Sequence, residues 1–115
     1  VVTQRKMEDT QIPTHKNNDE RVVLYDTDEV IDANIENFKD GPAVLTMIQH
    51  IPGEWDMEEC TLDGKALKVG ADYKKKDANT LEFEIKLPAR NADGPAVRKL
   101  IMHYRRRHLR DGYRG

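Results

Sequence analysis

Four histidines, one cysteine and a set of carboxylates are the residues of this chain with chemistry to offer. His15, His50, His103 and His108 could ligate zinc or copper, which need three or four donors converging, often from close spacings. The four are scattered, with no His-x-His or His-x-x-x-His pair. Solvated side chains are the simpler reading, and no metal or other cofactor is expected. Cys60 could act as a nucleophile only beside a base and a group that lowers its pKa. Its neighbours Glu58 and Glu59 would raise it instead, so a half-buried structural thiol is expected. Glu54, Asp56, Glu58 and Glu59 lie on one stretch, and with Asp28, Glu29, Asp32 and Glu36 they could form an acidic face. Paired carboxylates can hydrolyse glycosides, and clustered ones can hold calcium. No Asp-x-Asp-x-Asp-Gly loop is present, and carboxylates alternating along a strand usually face water. There is no Gly-rich phosphate loop, no Gly-x-Ser-x-Gly, and no Ser-His-Asp set with a spacing signal. An enzyme is not expected, and no catalytic, cofactor or metal residue is assigned.

Recognition through a surface remains. Trp55 beside Tyr25 or Tyr73 could present stacking rings to a carbohydrate or other polymer from an open sheet face. An exposed Trp55 favours that reading, and a buried one removes it. Arg105-Arg106-Arg107-His108, Arg110 and Arg114 read as a basic tail able to contact phosphates. Single-stranded nucleic acid normally also needs stacking aromatics, and only Tyr104 and Tyr113 are at hand. A solvated terminus is the simpler expectation.

The elements that must position these residues follow from composition and pattern. At 115 residues the chain has the size of one domain. It is 35 % charged and 37 % hydrophobic, so its few apolar residues must be placed economically. The net charge of −2 gives no bias toward nucleic acid or membrane. A single cysteine allows no intrachain disulfide, and no apolar run approaches the roughly 20 residues that span a bilayer. The start at Val1-Val2, with no Met and no apolar leader, reads as an excised domain or processed product.

The clearest element is Thr80–Leu87, where Leu81, Phe83, Ile85 and Leu87 alternate with polar residues. That is the pattern of a half-buried strand. Asp77-Ala78-Asn79 is turn chemistry before it, and Pro88 ends it. Val22–Leu24 reads as a short strand interrupted at Asp26–Asp28, with a longer one from Glu29 that buries Ile31, Ala33 and Ile35. Asp40-Gly41-Pro42 and Asp63-Gly64 are hairpin signals, and Gly70-Ala71-Asp72 is a turn. Ala43–Ile51 is nearly continuously apolar, which predicts a central strand covered on both faces. Trp55, Met57 and Glu59 form one face of the next strand. The last strand is predicted over Val97–Arg105, with Leu100, Met102 and Tyr104 inward. Asp40–Val44 and Asp93–Val97 are the same five letters, which predicts two similar strand-entry turns. No helix of ordinary length is visible. The carboxylates of Asp28–Glu59 and the bases of Arg98–Arg114 should lie on neighbouring strands and pair.

Three pieces together resemble a known family. They are Ile35-Glu-Asn-Phe-Lys-Asp-Gly-Pro-Ala-Val44, His50-Ile-Pro-Gly-Glu-Trp-Asp56, and Tyr73-Lys-Lys-Lys-Asp-Ala-Asn-Thr-Leu-Glu-Phe-Glu-Ile-Lys-Leu-Pro-Ala89, followed by Met102-His103-Tyr104. Their order resembles the C-terminal region of the bacterial family named domain of unknown function 4139, over about Glu29 to Arg105. The resemblance implies a β-sandwich at the end of a longer bacterial chain, often an exported one. It implies no catalytic residues. Arg105-Arg106-Arg107 departs from the apolar residue that members tend to place after the final tyrosine.

The expectation is therefore all-β. It is an immunoglobulin-like sandwich of about seven antiparallel strands without an intrachain disulfide. Residues 1–20 form an edge strand near the start followed by a loop at Pro13–Glu20, or a partly disordered segment, residues 21–105 the sandwich, and residues 106–115 a basic tail. The expected role is a non-catalytic structural or protein-interaction module of a larger protein. The alternative is a carbohydrate- or polymer-binding module using Trp55, Tyr25 and Tyr73. Expected partners are other domains of the parent chain or another protein, with no nucleic acid and no membrane insertion. The isolated domain is expected to be monomeric.

Overall fold

The computed structural model describes residues 2–16 and 22–110; the side chains at 11, 13–16, 22–25 and 108–110 lie outside that description. Its strands are β1 (Val2–Lys16), β2 (Val22–Asn37), β3 (Ala43–His50), β4 (Trp55–Leu62), β5 (Lys65–Ala66), β6 (Tyr73–Asp77), β7 (Thr80–Leu87) and β8 (Ala96–Arg110). Among the described residues there is no helix. The strands form two antiparallel sheets, one in the order β1-β2-β8-β4-β5 and the other in the order β3-β7-β6. This is the expected all-β sandwich, and Cys60 is a free, buried thiol.

The core lies where the period-two faces of the two sheets meet. Leu81, Phe83, Ile85 and Leu87 of β7 point inward from the smaller sheet, as the alternation predicts. Ile31, Ala33 and Ile35 of β2 face them from the larger sheet, with Leu100, Met102 and Tyr104 of β8. Tyr73 of β6 lies opposite Phe83 in the ladder, and their rings stack at 4.8 Å. The two Asp-Gly-Pro-Ala-Val copies both lead into strands, β3 and β8.

Four local expectations need correction. Ala43–His50 is not a central strand: among the described residues β3 pairs only with β7 and is an edge. Its apolar residues split between faces. Met47 is buried, whereas Val44 is 57 % exposed and Ile48 48 % exposed. Second, Asp26–Asp28 does not interrupt β2. The strand runs through with a single register shift against β8 between Tyr25 and Thr27, an irregularity of the bulge kind that lets pairing continue. Third, β8 does not stop at Arg105 but continues to Arg110, pairing with β2 as far as Leu24, and beyond Tyr104 the Arg106 guanidinium meets the Glu29 carboxylate and the Pro52 carbonyl. Fourth, Pro13–Lys16, read as the start of a loop, still pairs with β2; the rest of that loop, 17–20, lies outside the described residues.

Asn37 sets one end of the sandwich. Its side chain is fully buried. Nδ2 donates to the carbonyls of Gly41 (3.1 Å) and Pro88 (2.9 Å), and Oδ1 accepts from the Lys39 amide. It thus ties the β2–β3 crossing to the exit of β7. Asn37→Ala removes all three bonds and strands two carbonyls, at about 1 kcal/mol per bond. The expected loss is about 2–4 kcal/mol by urea unfolding. A loss within experimental error would show that water replaces the amide without cost.

Candidate functional site

The other end of the sandwich gathers the polar groups that chemistry would need. Thr27, Glu29, Ile31, Ala33, Ile35 and Asn37 share one parity and one face of β2, so the inward row is apolar in the middle and polar at its ends. Glu29 lies opposite Tyr104 on β8 and is buried with it. Tyr104 Oη donates to Glu29 Oε1 at 2.9 Å, and Arg106 Nη1 donates to Oε2 at 3.2 Å. Arg106 Nε also donates to the Pro52 carbonyl at 3.0 Å. Each carboxylate oxygen therefore has a donor, and the guanidinium is held at two points. Burial, and then the adjacent Glu29 carboxylate, push the Tyr104 phenol above its usual range, so it stays protonated. Thr27 Oγ1, in the same row, is buried with no partner among the described residues.

The loop from Ile51 to Glu54 is clamped over this cluster. Asn79 Nδ2 donates to the Ile51 and Gly53 carbonyls at 2.8 and 2.9 Å, and the Ile51 amide donates to the Asn79 carbonyl. The Asp77 side chain accepts from the Asn79 amide, which holds the Asp77 carboxyl below its usual range. Asp77-Ala78-Asn79, expected only as a turn, is thus also the fastener of the neighbouring crossing.

Trp55 starts β4 opposite Arg106. It is half-buried, with its ring edge-on to Tyr104 at 6.2 Å and its Nε1–H donated to the Ala78 carbonyl at 3.0 Å. Lys75 Nζ sits 4.8 Å above the ring centre, within cation–π range. On one side of Trp55 is a cleft of about 190 Å³, lined by Met57, Val69, Tyr73, Lys75 and Leu81 among others. On the other is a more open one of about 290 Å³ bounded by Gly53, Lys75 and Arg107. Trp55 and Tyr73 do border one cleft, as the sequence suggested. However, Tyr73 is only 6 % exposed, with its ring spent on Phe83, so it cannot serve as a stacking platform. The side chain of Tyr25 lies outside the described residues; its backbone pairs with Leu109.

Among the described side chains, the two histidines do not come together. His50 ends β3 in the smaller sheet, and His103 lies on β8 with Nε2 3.9 Å from Asp28. The side chains of His15 and His108 are outside the described residues. Among the described residues, no three His, Cys, Asp or Glu side chains could hold a metal ion.

The acidic and basic segments pair across the larger sheet, as expected. Arg105 reaches Asp28 at 2.9 Å and Glu58 at 3.9 Å. Lys99 reaches Asp32 at 3.2 Å, Arg98 reaches Asp63 at 2.5 Å, and Arg107 bonds Asp56. Arg105 holds the Asp28 carboxyl below its usual range. That contribution is present above the ordinary carboxylate pKa and is lost as pH falls below it. Two readings change. Glu29 is not part of a wet acidic face, and Arg105-Arg106-Arg107 is not a solvated tail. The signal for Glu29 was its parity with Ile31.

Cys60 is nearly fully buried rather than half-buried. Burial, not the neighbouring glutamates, pushes its thiol from 9.0 up to about 12. Tyr73 and Tyr104 are raised by burial as well. Groups with raised folded pKa values contribute stability that is complete below their unfolded pKa and is lost as pH rises, because the unfolded chain ionises first. The urea midpoint is therefore expected to fall between about pH 9 and pH 12. Thiol-reagent labelling should track that loss. Fast labelling of Cys60 at pH 8 in native buffer would contradict the burial.

No family model, curated protein or solved structure matches this chain.

Proposed function

We infer that this chain is a non-catalytic β-sandwich module with a structural or protein-interaction role, docking a partner along the open edge of β3. The resemblance of its strand and turn motifs to the C-terminal region of the domain of unknown function 4139 family supports a place within a larger bacterial protein. The edge itself carries the reading. Ala43–His50 has no charged residue and no proline, pairs on one side only, and exposes Val44 and Ile48. Proteins usually blunt such edges with lysines, prolines or bulges, and β3 has none of them. An extended segment from another domain of the parent, or from another protein, would take the free backbone groups. Its alternate side chains would cover Val44 and Ile48.

The charged residues support the same reading, because those nearest to catalytic geometry are already satisfied by one another. Of the rings of the polymer-binding alternative whose side chains are described, Tyr73 is buried and Trp55 has its indole N–H committed to Ala78. The test adds the isolated domain in trans to a parent protein lacking it. The double variant Val44→Lys, Ile48→Lys should keep the fold and melting temperature of the domain and bind at least roughly tenfold more weakly. Undiminished binding would overturn β3 as the docking edge. Turnover of a substrate would overturn the non-catalytic reading.

A further inference from the structure

The outer edge of β1 carries a pattern of which its own fold uses only a part: among its charges from Arg5 to Asp9, Arg5 Nη1 donates to Gln49 Oε1 of β3 at 3.1 Å. β1 is the end strand of the larger sheet, and among the described residues only β2 pairs with it. Its side chains from Gln4 to Thr10 are exposed, and Met7, a large apolar residue, is 57 % exposed. Val2–Ile12 reads Val-Thr-Gln-Arg-Lys-Met-Glu-Asp-Thr-Gln-Ile. Its charges are mirror-complementary about Met7. Lys6 and Glu8 are equidistant from it, as are Arg5 and Asp9. Uncharged residues fill the positions beyond, with Gln4 matching Thr10 and Val2 matching Ile12. The pattern ends at Pro13, where the register with β2 also becomes irregular.

We propose that β1 pairs antiparallel with β1 of a second copy of this chain, on a two-fold axis through Met7. Symmetry restricts the register. Hydrogen-bonded and non-hydrogen-bonded pairs alternate along an antiparallel ladder. Residue i facing j and residue j facing i must be the same kind of pair, so a two-fold axis always places one residue opposite itself. An axis at Arg5, Lys6, Glu8 or Asp9 sets a charge against its own copy, which is destabilising. An axis at Met7 sets Lys6 against Glu8 and Arg5 against Asp9, twice each, and buries the exposed Met7 against its counterpart. The pleat also separates the pairs: Lys6–Glu8 lies on one face, and Arg5–Asp9 lies on the face of Ala33 and Glu29. Both copies then share one continuous sheet, and the β1 edge is closed. This replaces the monomer expected from the sequence. It uses a different edge from the docking proposed on β3 and stands or falls separately.

Charge inversion tests the pairing. Lys6→Glu and Glu8→Lys are exposed substitutions, with circular dichroism and melting in dilute solution as the control for folding. Sedimentation equilibrium should show a dimer for the unaltered chain. Either single variant alone should dissociate roughly tenfold more readily or more, since each sets like charges opposite one another. An equimolar mixture of the two should recover the dimer, as should the double variant Lys6→Glu, Glu8→Lys. Cross-linking fixes the register. Met7→Cys should oxidise to a covalent dimer, because directly opposite Cα atoms lie within disulfide reach. Gln4→Cys alone should not, but should cross-link when mixed with Thr10→Cys. A chain that stays monomeric up to millimolar concentration would overturn the proposal. So would a dimer indifferent to the charge inversions, or one that cross-links equally well through Gln4→Cys alone.

Discussion

Arg106→Met is expected to destabilise the fold by about 3–5 kcal/mol, the usual cost of removing one partner of a buried ion pair. Glu29 is nearly fully buried, and Arg106 is its counter-charge at 3.2 Å. The substitution leaves the carboxylate with the Tyr104 hydroxyl alone and frees the Pro52 carbonyl. Most of the loss is the penalty of an unpaired buried charge rather than the worth of the pair. Glu29→Gln combined with Arg106→Met should therefore recover part of it, giving strong coupling in a double-mutant cycle. Lys99→Met is the contrasting control. Its partner Asp32 is 37 % exposed, and exposed pairs contribute about 0–1 kcal/mol. Urea unfolding checks both. A cost at Arg106 no larger than that at Lys99 would show that water reaches Glu29 and that the cluster holds nothing together.

Phe83→Ala is expected to cost about 3–5 kcal/mol, the range for emptying a large buried aromatic site. Phe83 is 1 % exposed, stacked on Tyr73 and opposite Met47 of β3. It joins all three strands of the smaller sheet, so its removal leaves a cavity that neither neighbour can fill without leaving its own register. Phe83→Leu keeps much of the volume and should cost less. A loss below about 1 kcal/mol on Phe83→Ala would mean that β7 presents its other face to the core.

What was legible in the sequence was mostly parity. Leu81, Phe83, Ile85 and Leu87 declare their face because the period is unbroken and the intervening residues are charged. Leu100, Met102 and Tyr104 keep the same period in β8, flanked by Lys99 and Arg105 although Ile101 intervenes. The failures have physical causes of two kinds. The first is irregularity. The β4–β8 register shifts between Met57 and Glu59, so Cys60 rather than Glu59 turns inward, and nothing local announces that shift. The second is long-range pairing. Val44 and Ile48 look like core residues until one knows that they lie on the outer face of the smaller sheet, opposite to Met47. Tyr73 follows a turn and precedes three lysines, yet its place opposite Phe83 puts it in the core. Glu29 and Arg106 each look wet alone. Each finds its opposite charge in the other, across 77 positions of sequence. The likeness of the acidic and basic segments to two halves of one sheet was readable because it needed only their opposite charge, not their detailed register.

That distribution explains why the candidate site was harder to read than the fold. The residues with chemistry are the ones whose roles depend on distant partners. Once placed, they satisfy one another. The Glu29–Tyr104–Arg106 cluster supports the Ile51–Glu54 crossing, and the outer carboxylates fasten β8 between β2 and β4. The exposed Val44 and Ile48 of β3 and the mirrored charge pattern of β1, of which Arg5 alone reaches another strand at Gln49, are the features that the described fold leaves largely unanswered.

Residue-resolved amide hydrogen exchange, measured on the isolated domain and on the same domain within its parent protein, tests the interaction-module reading most directly. The account predicts slow exchange through β7 and the Leu100–Tyr104 part of β8 in both. It predicts fast exchange for the outward-facing amides of β3 in isolation, and strong protection of those same amides in the parent. Outward β3 amides that exchange equally fast in both, with protection appearing instead around Trp55 when a polysaccharide is added, would contradict it.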